Sequence, residues 1–125
     1  MKSRLVFFSA LIIMLSSCVS TKSVTKGSYI RLVPTEKSEI TYNEEQASKI
    51  EIFYQKEPTF EFSEIGIVES IAYGSEVGLK DLFPELKKQA YLAGGEAIHK
   101  IQLKRHNQTG DTLHATAVAI VKKQN

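Results

Sequence analysis

LKDLFPELKKQAYLAGG, residues 79 to 95, decides the fold. Leu79, Leu82, Leu86, Ala90 and Ala93 recur at spacings of 3, 4, 4 and 3, the period of one buried helical stripe, with Phe83 beside it. Asp81 is placed to cap this helix, and Pro84 to lie in its first turn, where a missing N–H costs nothing. Lys87, Lys88 and Gln89 take the wet side. Gly94-Gly95 stops the helix, with one of the two in the left-handed position just past its end. A helix with one apolar stripe must bury it on another layer, and the flanking sequence supplies strands.

After the helix, Ala97 to His106 alternates, with Ile101 and Leu103 on one face and Lys100, Gln102 and Lys104 on the other. His99 shares the parity of Ile101 and Leu103, which makes it a partly buried structural residue. Asn107 to Asp111 is a turn, and Thr112 to Val121 a last strand with Ala115, Ala117 and Ala119 on one face, small enough to let a helix approach. Before the helix, Phe60 to Tyr73 is a long strand in which Ile65, Ile67 and Ile71 share one parity, and Gly66 marks a bulge or close backbone approach. Ile50 to Tyr54 is a strand by its β-branched and aromatic content. Thr35 to Ser48 is polar and acidic and reads as a loop. Tyr29 to Val33, ended by Pro34, adds an N-terminal strand. The expected fold is α+β in two layers, one helix on a mainly antiparallel sheet, in the order β-β-α-β-β after that extra strand.

The pattern of Ile50 to Tyr54, Phe62-Ser63-Glu64-Ile65-Gly66-Ile67-Val68, Leu86 to Ala90, Ala93-Gly94-Gly95-Glu96-Ala97-Ile98 and Ala115 to Ile120 resembles a broad group of small bacterial envelope domains. The group includes the stress-sensing lipoprotein of the Rcs phosphorelay and the YbjQ-type domains. The resemblance spans roughly residues 49 to 122 and implies an α+β fold. It says little of function, because function resides in sites rather than folds. Two departures keep Rcs-type sensing and metal binding from carrying over. The Rcs sensor's domain is held by disulfides and follows a long tether, whereas this chain has one cysteine and a short tether; and no metal-ligand motif matches.

At the other end, Met1 to Ser17 reads MKSRLVFFSALIIMLSS. Lys2 and Arg4 precede an apolar run from Leu5 to Leu15, interrupted only by Ser9. Eleven residues are too few to span a hydrocarbon core, which needs about 20, and match a signal-peptide core. Leu15-Ser16-Ser17-Cys18 resembles the lipobox of bacterial lipoproteins. The resemblance implies lipidation of the Cys18 thiol, cleavage before Cys18 and acylation of the new amino terminus. More than one acyl chain then gives stable attachment to the membrane. Val19 follows the cysteine where Asp would mark inner-membrane retention, so the expected address is the outer membrane, facing the periplasm. Residues 18 to 28 form a tether rich in Ser, Thr and Lys, spanning roughly 17 Å as a coil and about 35 Å at full stretch. Residues 29 to 123 form the domain.

The chain has 16 Lys+Arg and 14 Asp+Glu, and the leader removes two bases, leaving 14 against 14. A basic nucleic-acid-binding surface therefore has no support. Residues 36 to 69 hold nine acids and three bases, and residues 80 to 125 four acids and eight bases. Mutual neutralisation within one fold is the first reading, and a basic face for an anionic ligand the second.

Hydrolase, zinc-protease and nucleotide-loop motifs are absent from the sequence. His106 and His114 flank the last turn, but a metal site there would need more ligands than nearby Asp111. Glu61 and Glu64 fall on opposite faces of a strand, which opposes acid–base partnership. Glu44-Glu45 is a solvated pair in a loop, and Asn107-Gln108-Thr109 a polar turn. No catalytic residue, cofactor or metal ligand is expected. The expectation is a non-enzymatic binding or assembly module, partnered by a membrane through Cys18 and by an envelope protein or anionic ligand. The alternative is a stress, ligand or metal sensor.

Overall fold

The computed structural model describes residues 25–33, 40–74, 76–106 and 111–124. The leader, Cys18, the start of the tether, Pro34 and the turn residues 107–110 lie outside them. The elements run β1 (Thr25–Arg31), α1 (Glu44–Ser48), β2 (Glu51–Ile52), β3 (Phe62–Tyr73), α2 (Leu79–Leu92), β4 (Ala97–His106) and β5 (Thr112–Lys122). The strands form one sheet in the order β1-β3-β5-β4-β2. All neighbours are antiparallel except β2 and β4, so the sheet is mixed. The fold is α+β in two layers, with the helices on one face.

α2 sets the core. Leu82, Leu86 and Ala90 are fully buried along its stripe, and burying each leucine stabilises the fold by roughly 1.5–3 kcal/mol. Its partners are small: Val68 and Ala72 from β3, and Ala115, Ala117 and Ala119 from β5. The alanine face of the last strand thus receives the helix, as its side-chain volumes demand. The helix ends as its glycines require. Gly94 has φ +92°; its N–H donates to the Tyr91 carbonyl at 3.0 Å, and the Gly95 N–H to that of Ala90 at 2.8 Å, the paired bonds of a Schellman stop.

Its start differs from expectation. The helix begins one turn earlier than the capping assignment implied, at Leu79 with Gly78 as N-cap. Asp81 is therefore the third helical residue, and its carboxylate accepts the Gly78 N–H at 2.8 Å. Pro84 falls in the second turn and leaves the carbonyl of exposed Lys80 without a helical donor. Gln89 is not on the wet side. It is buried and donates to Glu85 at 2.9 Å, because β1 lies over that flank: a Cβ at Gly27 would come within 2.8 Å of the Gln89 side chain.

Other boundaries move too. β1 begins at Thr25, so Thr25 to Ser28, expected in the tether, are strand. Glu44 and Glu45 open a short helix rather than a loop, with the Asn43 side chain accepting the Gln46 N–H at 3.0 Å. The Ile50–Tyr54 strand contracts to two residues, parallel to β4. The register of β3 shifts between Glu64 and Gly66, the expected bulge. A second bulge lies between His99 and Gln102 in β4, where Lys100 has φ +52°. One extra residue reverses the parity of everything after it. His99 therefore pairs with Val118 on the face away from α2, while Leu103 pairs with Ala115 on the helix face.

Candidate functional site

The face of the sheet turned away from the helices is where polar side chains meet. Reading across β1, β3, β5 and β4, one row is Lys26, Ile71, His114 and Lys104, the next Ser28, Glu69, Thr116 and Gln102, and the third begins Ile30, Ile67 and Val118. Within it, Ser28 Oγ donates to Glu69 Oε1 at 2.5 Å. His114 Nε2 lies 3.0 Å from Glu69 Oε2, a diagonal neighbour across β3 and β5. Chiefly the Ser28 hydroxyl, and then His114, hold the Glu69 carboxyl below its ordinary value, against a smaller opposing effect of burial. The order of groups is serine, carboxylate, histidine. A nucleophilic triad needs the imidazole in the middle, where it can take the hydroxyl proton. Here the carboxylate ties three strands together, and the His114 contact becomes an ion pair only when the ring is protonated.

Beside this tie, Lys100 Nζ meets Glu64 at 3.0 Å. This contact joins an acid of residues 36–69 to a base of residues 80–125. Glu61 is exposed and precedes β3, apart from Glu64. His106 and His114 are not brought opposite one another: His106 pairs with Thr112, and His114 with Lys104. Among the described residues, no group of three or more His, Cys, Asp or Glu side chains could hold a metal ion.

One end of the same face is closed. The segment between β2 and β3 folds over His99, which packs edge-on against Phe62 at 4.8 Å between ring centres. Phe60 bridges Phe62 and Phe53 at 6.3 and 5.8 Å. His99 is 1% exposed, and neither ring nitrogen has a hydrogen-bond partner. Glu57 approaches Nδ1 to 3.9 Å, beyond hydrogen-bond reach, from an exposed position. The histidine is structural, and more deeply buried than its parity implied.

Two grooves flank the helices. One of about 270 Å³ lies between α1 and α2, lined by Tyr42, Ala47, Phe83, Pro84 and Lys87. The other, about 550 Å³, opens at the start of α2 beside Tyr54, Glu76 and Phe83. Lys88 lies over the Tyr42 ring at 5.0 Å, and Lys87 donates to the Ser48 carbonyl at 3.1 Å, so the lysines of α2 hold α1 in place. Glu44, Ser48 and Lys80 also line the first groove, and Lys80 and Asp81 the second.

No family model matches the chain, and none of the curated proteins does. Among solved structures, the chain is similar to a Francisella virulence factor, FvfA, with a TM-score of 0.51 and 20% identity, over 77% of this chain and 97% of that one. At that identity the likeness shows the fold alone. The class so defined is a small α+β domain with helices on one face of a five-stranded sheet. No helix among the described residues is long and apolar enough to cross a membrane.

Proposed function

We propose that the protein is a bacterial lipoprotein, anchored in the cell envelope through Cys18, whose domain acts as a non-enzymatic binding or assembly module. The carrying observation is Leu15-Ser16-Ser17-Cys18, with the chain's one cysteine, behind a charged start and an apolar run of signal-peptide length. The sheet supports it. β1 begins seven residues after Cys18, so the anchor and the first strand are nearly adjacent. The binding reading draws on the open face, where exposed side chains of four strands stand beside one another while Ser28, Glu69 and His114 lack the order of a nucleophilic site. The Val19 position favours the outer membrane. The sensor reading has only the resemblance to the Rcs and YbjQ-type domains in its favour. Changing Cys18 to Ser in the full chain is the test. Lipid labelling should vanish, and the protein should leave the membrane fraction. Unchanged labelling and fractionation would refute the anchor.

A further inference from the structure

β1 is an edge of the sheet, bonded on one side to β3. The end of β1 and the two residues after it expose apolar side chains: Ile30 is 66% exposed, Leu32 52% and Val33 46%, with Tyr29 beside them at 38%. Among the described residues nothing pairs with this edge, and such an edge is one that proteins ordinarily protect. Three further facts say what covers it. From Val19 to Val33 there are three bases, Lys22, Lys26 and Arg31, and no acid. Arg31 is tied to the Leu92 carbonyl and the Tyr29 ring, and adds its charge from there. From Cys18 to Thr25 is seven residues, at most about 24 Å of chain. β1 itself is about 20 Å long, so the strand cannot stand off from an anchoring membrane by much more than its own length.

We infer that the free edge of β1 lies along the surface of the membrane that holds Cys18, with Ile30, Leu32 and Val33 among the headgroups and Lys26 meeting anionic lipid. This rests on the lipoprotein reading. Apolar area and basic charge act together in such surface binding, each marginal alone. Tyr29 suits the same depth, since its ring is apolar and its hydroxyl wet. The unpaired backbone groups of the edge stay hydrated at headgroup level, where the hydrocarbon core would forbid them. The sheet then stands on its β1 edge and presents its open face sideways, rather than swinging on a leash.

The test uses the full acylated chain, purified from membranes and placed in vesicles of phosphatidylethanolamine and phosphatidylglycerol with spin-labelled lipid. Acylation blocks Cys18, so a fluorophore reacts with one introduced thiol, at Leu32→Cys, at Ile30→Cys, or at Leu103→Cys as a control of comparable exposure on β4. Lipid should quench the probe at positions 30 and 32 roughly threefold more than at 103, and added salt should weaken that difference. Equal quenching at all three would overturn the docking. So would thiol cross-links between copies at position 32 in place of quenching, which would make a second copy the cover. Flotation separates the two claims. A protein that floats with position 32 unquenched loses the docking alone; one that does not float loses the anchor, and the docking with it.

Discussion

The two faces of the sheet are built from the same strands and differ first in volume. Toward α2, β3 presents Val68, Ser70 and Ala72, and β5 presents Leu113, Ala115, Ala117 and Ala119, all buried. Away from it, the same strands present Ile67 and Ile71 with Glu69, and Val118 with His114 and Thr116. Ile67 and Ile71 lie on the wetter face, whereas Ile65, expected to share their parity, sits at the bulge and packs against the core. Just past the end of α2, a Cβ at Gly95 would come within 3.1 Å of the Ala119 Cβ, which leaves room for a small residue there. Hydrophobic residues are shared between both faces, and the nearness of α2 favours small ones where the alanines of β5 meet it.

The sharpest way to break that contrast is on α2. Leu86→Ala, at a fully buried position, should cost about 2–5 kcal/mol through lost transfer energy and a cavity. Lys87→Ala, one residue along, should stay within about 0.5 kcal/mol, since its bond to the Ser48 carbonyl is exposed. Urea midpoints of the two variants measure both. Equal losses would mean that α2 is rotated and the dry face misplaced.

His99 is where the open face is itself closed, and it offers a smaller effect of the opposite sign. Both ring nitrogens are buried without partners, and an unmet buried polar atom costs about 1–3 kcal/mol. His99→Phe would extend the stack of Phe53, Phe60 and Phe62 and remove that cost, against some strain from the larger ring. The variant should be neutral or up to about 2 kcal/mol more stable in the same urea titration. A clear loss would show that a ring nitrogen is in fact satisfied, with Glu57 the nearest carboxylate.

What was legible in the sequence follows from range. The stripe of α2, its glycine stop, the bulge at Gly66 and the alanine face of β5 are each encoded within a few neighbouring residues, and each stands where its pattern puts it. The misreadings are non-local. Gln89 looks exposed until β1, some sixty residues earlier in the chain, covers it. Thr25 to Ser28 look like tether because an edge strand open to water needs no apolar alternation. His99 lies on the unexpected face because Lys100 adopts a left-handed backbone that no glycine announces. The tie of Ser28, Glu69 and His114 joins residues 41 and 45 positions apart, which no motif spacing could reveal, and Ser28 lies in the stretch whose composition reads as tether.

That tie also yields the smallest effect, one that sharpens the difference between a solvated face and a merely exposed one. In the folded protein the Ser28 hydroxyl, and after it His114, hold the Glu69 carboxyl below its ordinary value near 4.5. A carboxyl lowered by folding stabilises the folded state fully above the unfolded value, and the contribution fades as pH falls through the folded one. Wild type should therefore exceed Glu69→Gln in stability at neutral pH, and the gap should close as the pH falls below that ordinary value and through the lowered one. Glu69 is 42% exposed, so water screens the contacts and the gap should stay under about 1 kcal/mol. High salt should shrink the ionic share that His114 contributes and spare the share due to the Ser28 hydroxyl. Ser28→Ala and His114→Ala should each remove part of the pH dependence. Urea midpoints for these three variants across the acid range supply the comparison. A gap that does not change with pH would mean that the carboxylate is not held by its neighbours, and the strands of the open face would then be joined by their backbone ladders alone.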